Sequence, residues 1–310
     1  MAVNMKGESL ISINDLSQEK IWQILELSAS LKYKLMTGEP HRLLEGKTLG
    51  MIFSKPSTRT RVSFEVGIYQ LGGIGMYFGP NDLQLKRSEN ISDTAKVLSR
   101  YLDGIMIRTF DHQDVIDLAR YGSIPVINGL TDLLHPCQVL TDLFTIYEKK
   151  RILKGLKLAY IGDGNNMAHS LLYGCSKTGM HISIASPKGY KPNKEIVYNA
   201  VINGKYTGSK IEIVDEPADA VKGADIIYAD VWASMGQEAE QEKRRKIFKN
   251  YQVNPQLVKH AKEDYLFMHC LPAHRGEEVV DEIADSPHSV IFDEAENRLH
   301  TQKAIMALVM

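Results

Sequence analysis

Short apolar runs alternate with helical patterns along the whole chain, and this alternation is what most limits the possible folds. Strand-like runs lie near residues 49–54, 104–108, 124–128, 156–162, 181–185, 211–214, 225–230, 265–270 and 289–293. Apolar residues at helical spacing lie between most of these runs, as over 57–71 and 136–150. Strands that alternate with helices are typical of parallel sheets. We therefore predict an α/β protein with two mostly parallel sheets, each covered by helices on both faces.

A basic cluster near the middle of the chain indicates a domain boundary. Lys149, Lys150 and Arg151 are followed closely by Gly155, a combination that is typical of a loop after a helix. We predict one domain over residues 1–150 and a second over 151–293. Residues 294–310 have a helical pattern with one apolar side, so we expect this helix to pack back on the first domain.

Composition excludes several classes of partner. The chain has 310 residues, 44% of them hydrophobic and 24% charged, with a formal net charge of -1. This charge gives no reason to expect nucleic acid or an anionic membrane as partner. Three cysteines form too sparse a set for a disulfide framework, which favours a reducing cytoplasm. No apolar run approaches the roughly 20 residues needed to span a bilayer, so we predict a soluble cytoplasmic protein.

The strand over 49–54 leads into a turn that is rich in hydroxyl and guanidinium groups. Its residues are Ser57, Thr58, Arg59, Thr60 and Arg61, and they open a predicted helix. The first turn of a helix has unpaired backbone N–H groups and the positive end of the helix dipole. These features predict a site for a phosphate-sized anion. The alternative is that Ser57 is an ordinary N-cap and the arginines are solvated.

Two further segments bring polar groups to the carboxyl ends of strands, where open parallel sheets bind ligands. Arg108 closes the run over 104–108, and the alternative is an arginine that points into solvent. His135, Pro136, Cys137 and Gln138 begin the predicted helix over 136–150, with Pro136 suited to its first position. A His or Gln donor at a helix N-terminus can polarise a carbonyl oxygen. The alternative is a structural cap, although His is a poor capping residue.

The loop after residue 161 resembles a dinucleotide-binding turn but departs from it twice. It reads Gly162-Asp163-Gly164-Asn165-Asn166, and Met167 stands where the third glycine of that fingerprint belongs. The next strand ends in residues 185–187 without the acidic group that would bind a ribose. The pattern is therefore weak support for NAD. The loop instead offers Asn165 or Asn166 to a polar ligand.

Asp230 ends the run over 225–230 and is followed by a short loop that contains Ser234. A carboxylate here can pair with a substrate ammonium group, and the loop can hold a carboxylate. The alternative for Asp230 is a strand-end cap. The charged segment 238–249 that follows predicts a helix with a solvated face.

Cys270 lies at the end of another strand, between His269 and His274. It is open to four interpretations: an inert buried thiol, part of a zinc site, a Cys–His nucleophile, or a thiol that helps an amine to lose its proton. Spacing does not choose among them. Arg298, near the start of the last helix, is one more candidate at the same edge.

Four of these segments together resemble the aspartate/ornithine transcarbamylase family, in its ornithine-using branch. They are residues 57–60, 135–138, 230–236 and 269–272, and the resemblance extends from about residue 6 to residue 306. It implies transfer of the carbamoyl group of carbamoyl phosphate to the side-chain amine of L-ornithine, which gives L-citrulline and phosphate. It further implies a homotrimer with sites shared between subunits, no metal and no cofactor.

The resemblance also implies a set of site residues. Those expected to hold carbamoyl phosphate are Ser57, Thr58, Arg59, Thr60, Gln84, Arg108, His135, Pro136, Cys137, Gln138, Cys270, Leu271 and Arg298. Among these, Arg59, Arg108, His135, Gln138, Cys270 and Arg298 are the implied catalytic residues, and Gln84 reaches the site of a neighbouring subunit. Those expected to bind ornithine are Asn166, Asp230, Ser234 and Met235. The family commonly has glycines where this chain has Lys86-Arg87-Ser88, a departure within the shared phosphate loop.

Other functions compete with this interpretation. A carbamoyltransferase for putrescine or an acylated ornithine would share the first domain, but the segment Ser234-Met235-Gly236 argues against it. An NAD-dependent dehydrogenase conflicts with the broken glycine fingerprint. A non-catalytic binding relative would be expected to have lost some of the matched side chains.

Overall fold

The computed structural model describes residues 3–83, 89–233 and 238–310. The chain divides into two compact units. The first unit comprises Met1–Phe144 and Glu296–Met310, and the second comprises Thr145–Ala295. Within the described ranges, no helix combines the length and apolar character required to traverse a bilayer.

The first unit is built on a parallel sheet of four strands, with helices in the connections. Its elements are α1 (Gln18–Thr37), β1 (Thr48–Phe53), α2 (Thr58–Gln70), β2 (Ile74–Phe78), α3 (Ile91–Leu98), β3 (Gly104–Arg108), α4 (His112–Tyr121) and β4 (Val126–Leu130). The strand order is β2-β1-β3-β4. A core of residues from β1, β3, α3 and α4, which includes Ile52, Ala95 and Ile105, packs on this sheet. Such two-layer burial accounts for the near-continuous apolar runs of β1 and β3.

The second unit has a parallel sheet of five strands in the order β7-β6-β5-β8-β9. Its elements are β5 (Lys157–Ile161), α6 (Asn166–Thr178), β6 (His181–Ala185), α7 (Lys194–Thr207), β7 (Ile211–Val214), α8 (Pro217–Val221), β8 (Ile226–Ala229), α9 (Gln241–Phe248), α10 (Pro255–Val258), β9 (Leu266–His269) and α11 (Asp281–Ala284). The two boundaries between the units fall inside helices, α5 (Pro136–Lys150) and α12 (Ile291–Val309). The predicted α/β class with two parallel sheets is confirmed.

Each sheet contains a point where the strand order reverses, and these points locate the ligand-binding edge. In the first unit the chain moves from β1 to β2 on one side and to β3 on the other. In the second unit β5 lies between β6 and β8 in the same way. At such a switch point the loops leave in opposite directions and open a crevice beyond the strand ends. The segment beginning at Ser57 follows β1, and Asp230 follows β8.

Two sequence predictions of strands need correction. The run over 289–293 is not a strand, because Ser289 makes only an isolated bridge with Phe267 and α12 begins at Ile291. A short apolar run fits a buried helix start as well as a strand. The strand predicted over 124–128 runs two residues later, as β4. Strand β2 was not predicted, because it is a half-exposed edge strand interrupted by Gly75.

Candidate functional site

The first turn of α2 is organised by Ser57, which has the N-cap geometry that both the anion-site prediction and its alternative allow. The Ser57 hydroxyl accepts a hydrogen bond from the Thr60 backbone N–H at 3.2 Å, so Ser57 is the N-cap of α2. Arg61 does not join Arg59 at this turn. Its guanidinium lies over the Tyr77 ring at 3.9 Å and pairs with Glu65 at 3.4 Å. Arg61 is therefore engaged by side chains of α2 and β2, and Arg59 stays the predicted arginine of the anion site.

Arg298 of α12 brings together residues from three helices of the first unit. Its Nη1 donates to Gln138 Oε1 of α5 at 2.6 Å, and its Nη2 donates to Thr60 Oγ1 of α2 at 3.2 Å. Arg298 is only 3% exposed. Three residues that were predicted from separate motifs thus form one cluster at the N-termini of α2 and α5.

His135 lies in the same unit and is buried together with Arg108. Burial lowers the pKa of His135 well below its ordinary value, and the charges of Arg298, Arg108 and Arg59 lower it further. The imidazole is consequently neutral at physiological pH. A neutral imidazole retains one N–H donor and can polarise a carbonyl oxygen without competing for protons.

Cys137, beside His135, is excluded as a nucleophile by its surroundings. Its Sγ donates to the Asn128 carbonyl oxygen at 3.3 Å, and burial raises the pKa of the thiol to about 12. Pro136 is the first residue of α5, as predicted. These two residues shape the turn that presents His135 and Gln138.

In the second unit, Asp230 accepts three hydrogen bonds just beyond the end of β8. Its Oδ2 accepts from Asn165 Nδ2 at 2.8 Å. Its Oδ1 accepts from the Cys270 thiol at 3.2 Å and from the Val231 backbone N–H at 2.9 Å. The side chain is 5% exposed. The structure thus brings the predicted carboxylate and the predicted thiol into direct contact.

Asn165 is the asparagine that contacts Asp230, and the sequence did not single it out over Asn166. Its Oδ1 caps α6 by accepting from the Met167 and Ala168 backbone N–H groups, and also accepts from the Tyr160 hydroxyl at 3.2 Å. Since its oxygen is occupied in this way, its Nδ2 faces Asp230. Asn166 is the first residue of α6 and half-buried.

The loop that presents Asn165 requires a glycine at position 164. A Cβ atom at Gly164 would lie 2.2 Å from the Pro192 backbone nitrogen, closer than any side chain can be accommodated. Gly164 therefore serves the close approach of another backbone segment, whereas Gly162 adopts a φ of 148°. They do not indicate a dinucleotide.

Two family profiles match the chain, and together they cover most of it. Residues 8–148 match the profile described as "Aspartate/ornithine carbamoyltransferase, carbamoyl-P binding domain". Residues 154–309 match "Aspartate/ornithine carbamoyltransferase, Asp/Orn binding domain". The chain belongs to the aspartate/ornithine carbamoyltransferase family. The predicted family is thereby confirmed, and the alternative of an NAD-dependent dehydrogenase is rejected.

Full-length relatives within this carbamoyltransferase family are similar throughout. The ornithine carbamoyltransferase of Thermococcus kodakarensis is 59% identical over 310 residues, which cover all of this chain and 98% of the relative. A protein of Pyrococcus furiosus named "Ornithine carbamoyltransferase, anabolic" is 58% identical with the same coverage. The solved structure of ornithine carbamoyltransferase from Pyrococcus furiosus superposes with a TM-score of 0.97 at 58% identity, and the match covers 100% of this chain and 99% of that one.

The charged segment after the Asp230 loop forms the helix with a solvated face that was predicted, and it also contains one buried arginine that was not predicted. Arg244 of α9 is buried, and its Nη1 donates to Asp163 Oδ2 at 2.7 Å and to the Trp232 carbonyl oxygen at 2.8 Å. Its Nε also donates to Glu240 at 3.1 Å. Arg244 therefore connects the loop after β5 with the segment after Asp230.

The zinc interpretation of Cys270 is weakened by the contacts of His269. Nδ1 of His269 accepts from the Leu271 backbone N–H at 2.9 Å, and Nε2 lies 3.1 Å from Glu278 Oε1. Both ring nitrogens are therefore occupied. In the part of the chain that the structure describes, the group close enough to hold a metal ion is His274, Glu277 and Glu278, and Glu277 already pairs with Arg245.

Some predicted site residues lie outside the described ranges. They are Gln84, Ser234 and Met235, together with the Lys86-Arg87-Ser88 departure from the family pattern. Their roles stay predictions, as do those of Thr58, which is exposed at the start of α2, and Leu271, which has a φ of 56°.

Proposed function

We propose that the chain transfers the carbamoyl group of carbamoyl phosphate to the side-chain amine of L-ornithine, forming L-citrulline and phosphate. The enzyme class is supported along the full length by relatives named ornithine carbamoyltransferase. The geometric observation that carries the reaction is the Arg298 cluster with its contacts to Gln138 and Thr60, in the same unit as a neutral His135. Such a cluster suits the polarisation of a carbamoyl oxygen.

The phosphate of carbamoyl phosphate is proposed to bind at the N-terminus of α2. Ser57, Thr58, Arg59 and Thr60 supply backbone N–H groups, hydroxyls and one guanidinium, and Arg108 adds a second guanidinium from the end of β3. Each charge-assisted hydrogen bond to the phosphate contributes about 1.5–3 kcal/mol. Gln84 of a neighbouring subunit is proposed to contact the same phosphate.

The carbamoyl group is proposed to lie at the start of α5, where Pro136 and Cys137 shape the turn. His135 and Arg298 donate to its oxygen, and Gln138 presents an amide oxygen to its NH₂ group. Donors that are already oriented stabilise the negative charge that develops when the carbon becomes tetrahedral. The neutral amine nitrogen forms a bond to this carbon and then loses its second proton. The bond from the carbon to the phosphate oxygen breaks, and phosphate leaves with both electrons and takes up that proton.

Ornithine is proposed to bind in the second unit. Asp230 attracts its ammonium group, with Asn166, Ser234 and Met235 as further contacts. The amine must lose a proton before it attacks, because an alkylammonium titrates near about pH 10.4. Asp230 is proposed to accept that proton, and the Cys270 thiol, which donates to Asp230 at 3.2 Å, orients the carboxylate beside Leu271.

The assembly is proposed to be a homotrimer. α2 and the edge strand β2 expose several apolar side chains, including Val62, Tyr69, Ile74 and Met76. Exposed apolar patches of this kind mark interaction surfaces. We propose the cytoplasm as compartment, because all three cysteines are reduced. The relative named anabolic supports a biosynthetic direction, toward arginine.

The test is colorimetric citrulline formation from carbamoyl phosphate and L-ornithine, with putrescine, N-acetylornithine and aspartate run in parallel. Turnover with ornithine alone is expected. Turnover with another amine would keep the assignments in the first unit and overturn those in the second. Absence of turnover with all amines, from folded protein, would favour the non-catalytic binding relative.

A further inference from the structure

Arg298 has a third oxygen acceptor that neither the sequence nor the proposed function assigns. With the Gln302 amide oriented so that both of its ends find partners, its oxygen accepts from Arg298 Nη2 at 2.6 Å and from Nε at 3.0 Å. Gln302 follows Arg298 by four residues on α12, so the two side chains share one face of the helix. Gln302 is completely buried.

The amides of Gln138 and Gln302 hold the guanidinium from two sides, and each is anchored at its nitrogen. Gln138 Nε2 donates to Asp142 Oδ1 at 2.8 Å. The nitrogen of Gln302 donates to the Ser63 hydroxyl, which in turn donates to the Arg59 carbonyl oxygen at 2.5 Å. Because an amide has one donor end and one acceptor end, an anchored nitrogen leaves the oxygen to face Arg298.

The contact with Gln302 fixes the orientation of the guanidinium plane. Two N–H groups of Arg298, on Nε and Nη2, point at one oxygen, so rotation about the last side-chain bond would break both bonds. Nη1 is thereby aimed at Gln138. An amide is also neutral, so this contact orients Arg298 and leaves its positive charge intact. A carboxylate in the same place would neutralise that charge.

We propose that Gln302 is a positioning residue that holds Arg298 in the orientation required to stabilise the carbamoyl oxygen. This inference rests on the proposed function, because it assigns Arg298 to that oxygen. Gln302 does not itself touch substrate. Its effect is expected in kcat, where the developing charge is stabilised, and little in the binding of phosphate at the N-terminus of α2.

The test compares Gln302→Leu with Thr301→Val as a matched control. Thr301 is equally buried on the same helix, and its hydroxyl has no hydrogen-bond partner among the residues that the structure describes. Gln302→Leu is expected to lower kcat about 10- to 100-fold, the range typical of a displaced catalytic group. The inhibition constant of inorganic phosphate is expected to change less than about twofold, since the phosphate contacts remain. Thr301→Val is expected to keep kcat.

A double-mutant cycle with Arg298→Met shows whether Gln302 acts through Arg298. In the Arg298→Met background, Gln302→Leu is expected to cause no further loss of kcat. An equal loss in both backgrounds, an unchanged kcat in Gln302→Leu, or a parallel loss of phosphate inhibition would each overturn the inference. Thermal unfolding of each variant with and without inorganic phosphate verifies folding. The wild-type rate separates this inference from the proposed function. An inactive wild type would contradict the proposed function itself. An active wild type together with a fully active Gln302→Leu would contradict only the role of Gln302.

Discussion

Asp230, at the end of a strand, accepts hydrogen bonds from several different groups. Its two oxygens accept from an amide, a thiol and a backbone N–H, and the groups come from three different loops of the second unit. These bonds hold the carboxylate in a single orientation while it stays nearly buried. A carboxylate held in this way is ready to receive an ammonium group without reorganising.

We expect Asp230→Asn to lower kcat/KM for ornithine about 10- to 100-fold, because a hydrogen bond to a charged group contributes about 1.5–3 kcal/mol. Inhibition by inorganic phosphate should not change. The control is Asp225→Asn, at the other end of the same strand, where the carboxylate accepts from the Lys157 backbone N–H and from Lys262. Equal losses of kcat/KM in Asp230→Asn and Asp225→Asn would show that Asp230 contributes only to the stability of the fold.

At this scale the sequence predicted types of residue better than their partners. Ser57, Asp230 and Cys270 were identified because each stands next to a strand or at a helix start. Asn165 could not be separated from Asn166, because the choice depends on its contact with Asp230, which follows a different strand, β8. Gln302 carried one usable signal, its spacing of four residues from Arg298.

At the scale of elements, α9 shows that a mostly exposed, charged helix can still bury one arginine. Only Arg244 and Phe248 of this helix are buried, and Arg244 bonds to Asp163 and to the Trp232 carbonyl oxygen. Charge patterning indicates solvent exposure on average, but it does not reveal a single arginine whose partner lies on a distant loop.

We expect Arg244→Met to lower the free energy of unfolding by about 3 kcal/mol, because it leaves Asp163 buried without its cation. The neighbouring Arg245 also pairs with two carboxylates but is exposed, so Arg245→Met should cost less than about 1 kcal/mol. Urea titration measures both. Similar midpoints for the two variants would mean that the buried pair contributes no more than a surface pair.

Helix α12 carries a pH-sensitive contribution to stability. Burial lowers the pKa of His300 from 6.5 to about 3, and the charges of Lys303, Lys32 and His41 act in the same direction. Glu296 lies 3.6 Å away but is largely exposed, so solvent weakens its opposing effect.

Since the unfolded chain binds a proton that folded His300 does not, stability is expected to fall as the pH drops from about 6.5 toward about 3. The slope for one such group is about 1.4 kcal/mol per pH unit. His300→Gln should remove the contribution of His300 to this pH dependence of the unfolding free energy. The contribution of buried His135 remains in the wild type and in the variant. Urea unfolding at pH 7, 6 and 5 tests this expectation, and parallel curves for the two proteins would contradict it.

At the scale of the whole molecule, the sequence predicted most of the segments that form strands but not the order of the strands. Strand order determines where each sheet reverses, and it depends on contacts between distant segments. Strand β2 escaped prediction for a related reason: it exposes Ile74 and Met76, so it lacks the buried apolar run that identified its neighbours.

We expect three copies in the assembly, each contributing Gln84 to the next site. A Gln84→Ala chain and an Asp230→Asn chain should each be nearly inactive alone. When equal amounts of the two chains are unfolded and refolded together, about a quarter of wild-type activity should return. About three quarters of the random trimers contain both kinds of chain, and each of these has one intact site of three. Light scattering gives the mass of the assembly. No recovery in a confirmed trimer would show that Gln84 does not act between subunits.

The three cysteines differ in one further respect that matters for work with this protein. Cys137 and Cys175 are buried, whereas Cys270 is half-exposed beside Asp230. The native chain therefore offers a single thiol to a water-soluble alkylating dye, although it contains three. A spectroscopic label can be attached at one known position without engineering, and protection of that thiol by ornithine would count bound amine even when no turnover takes place.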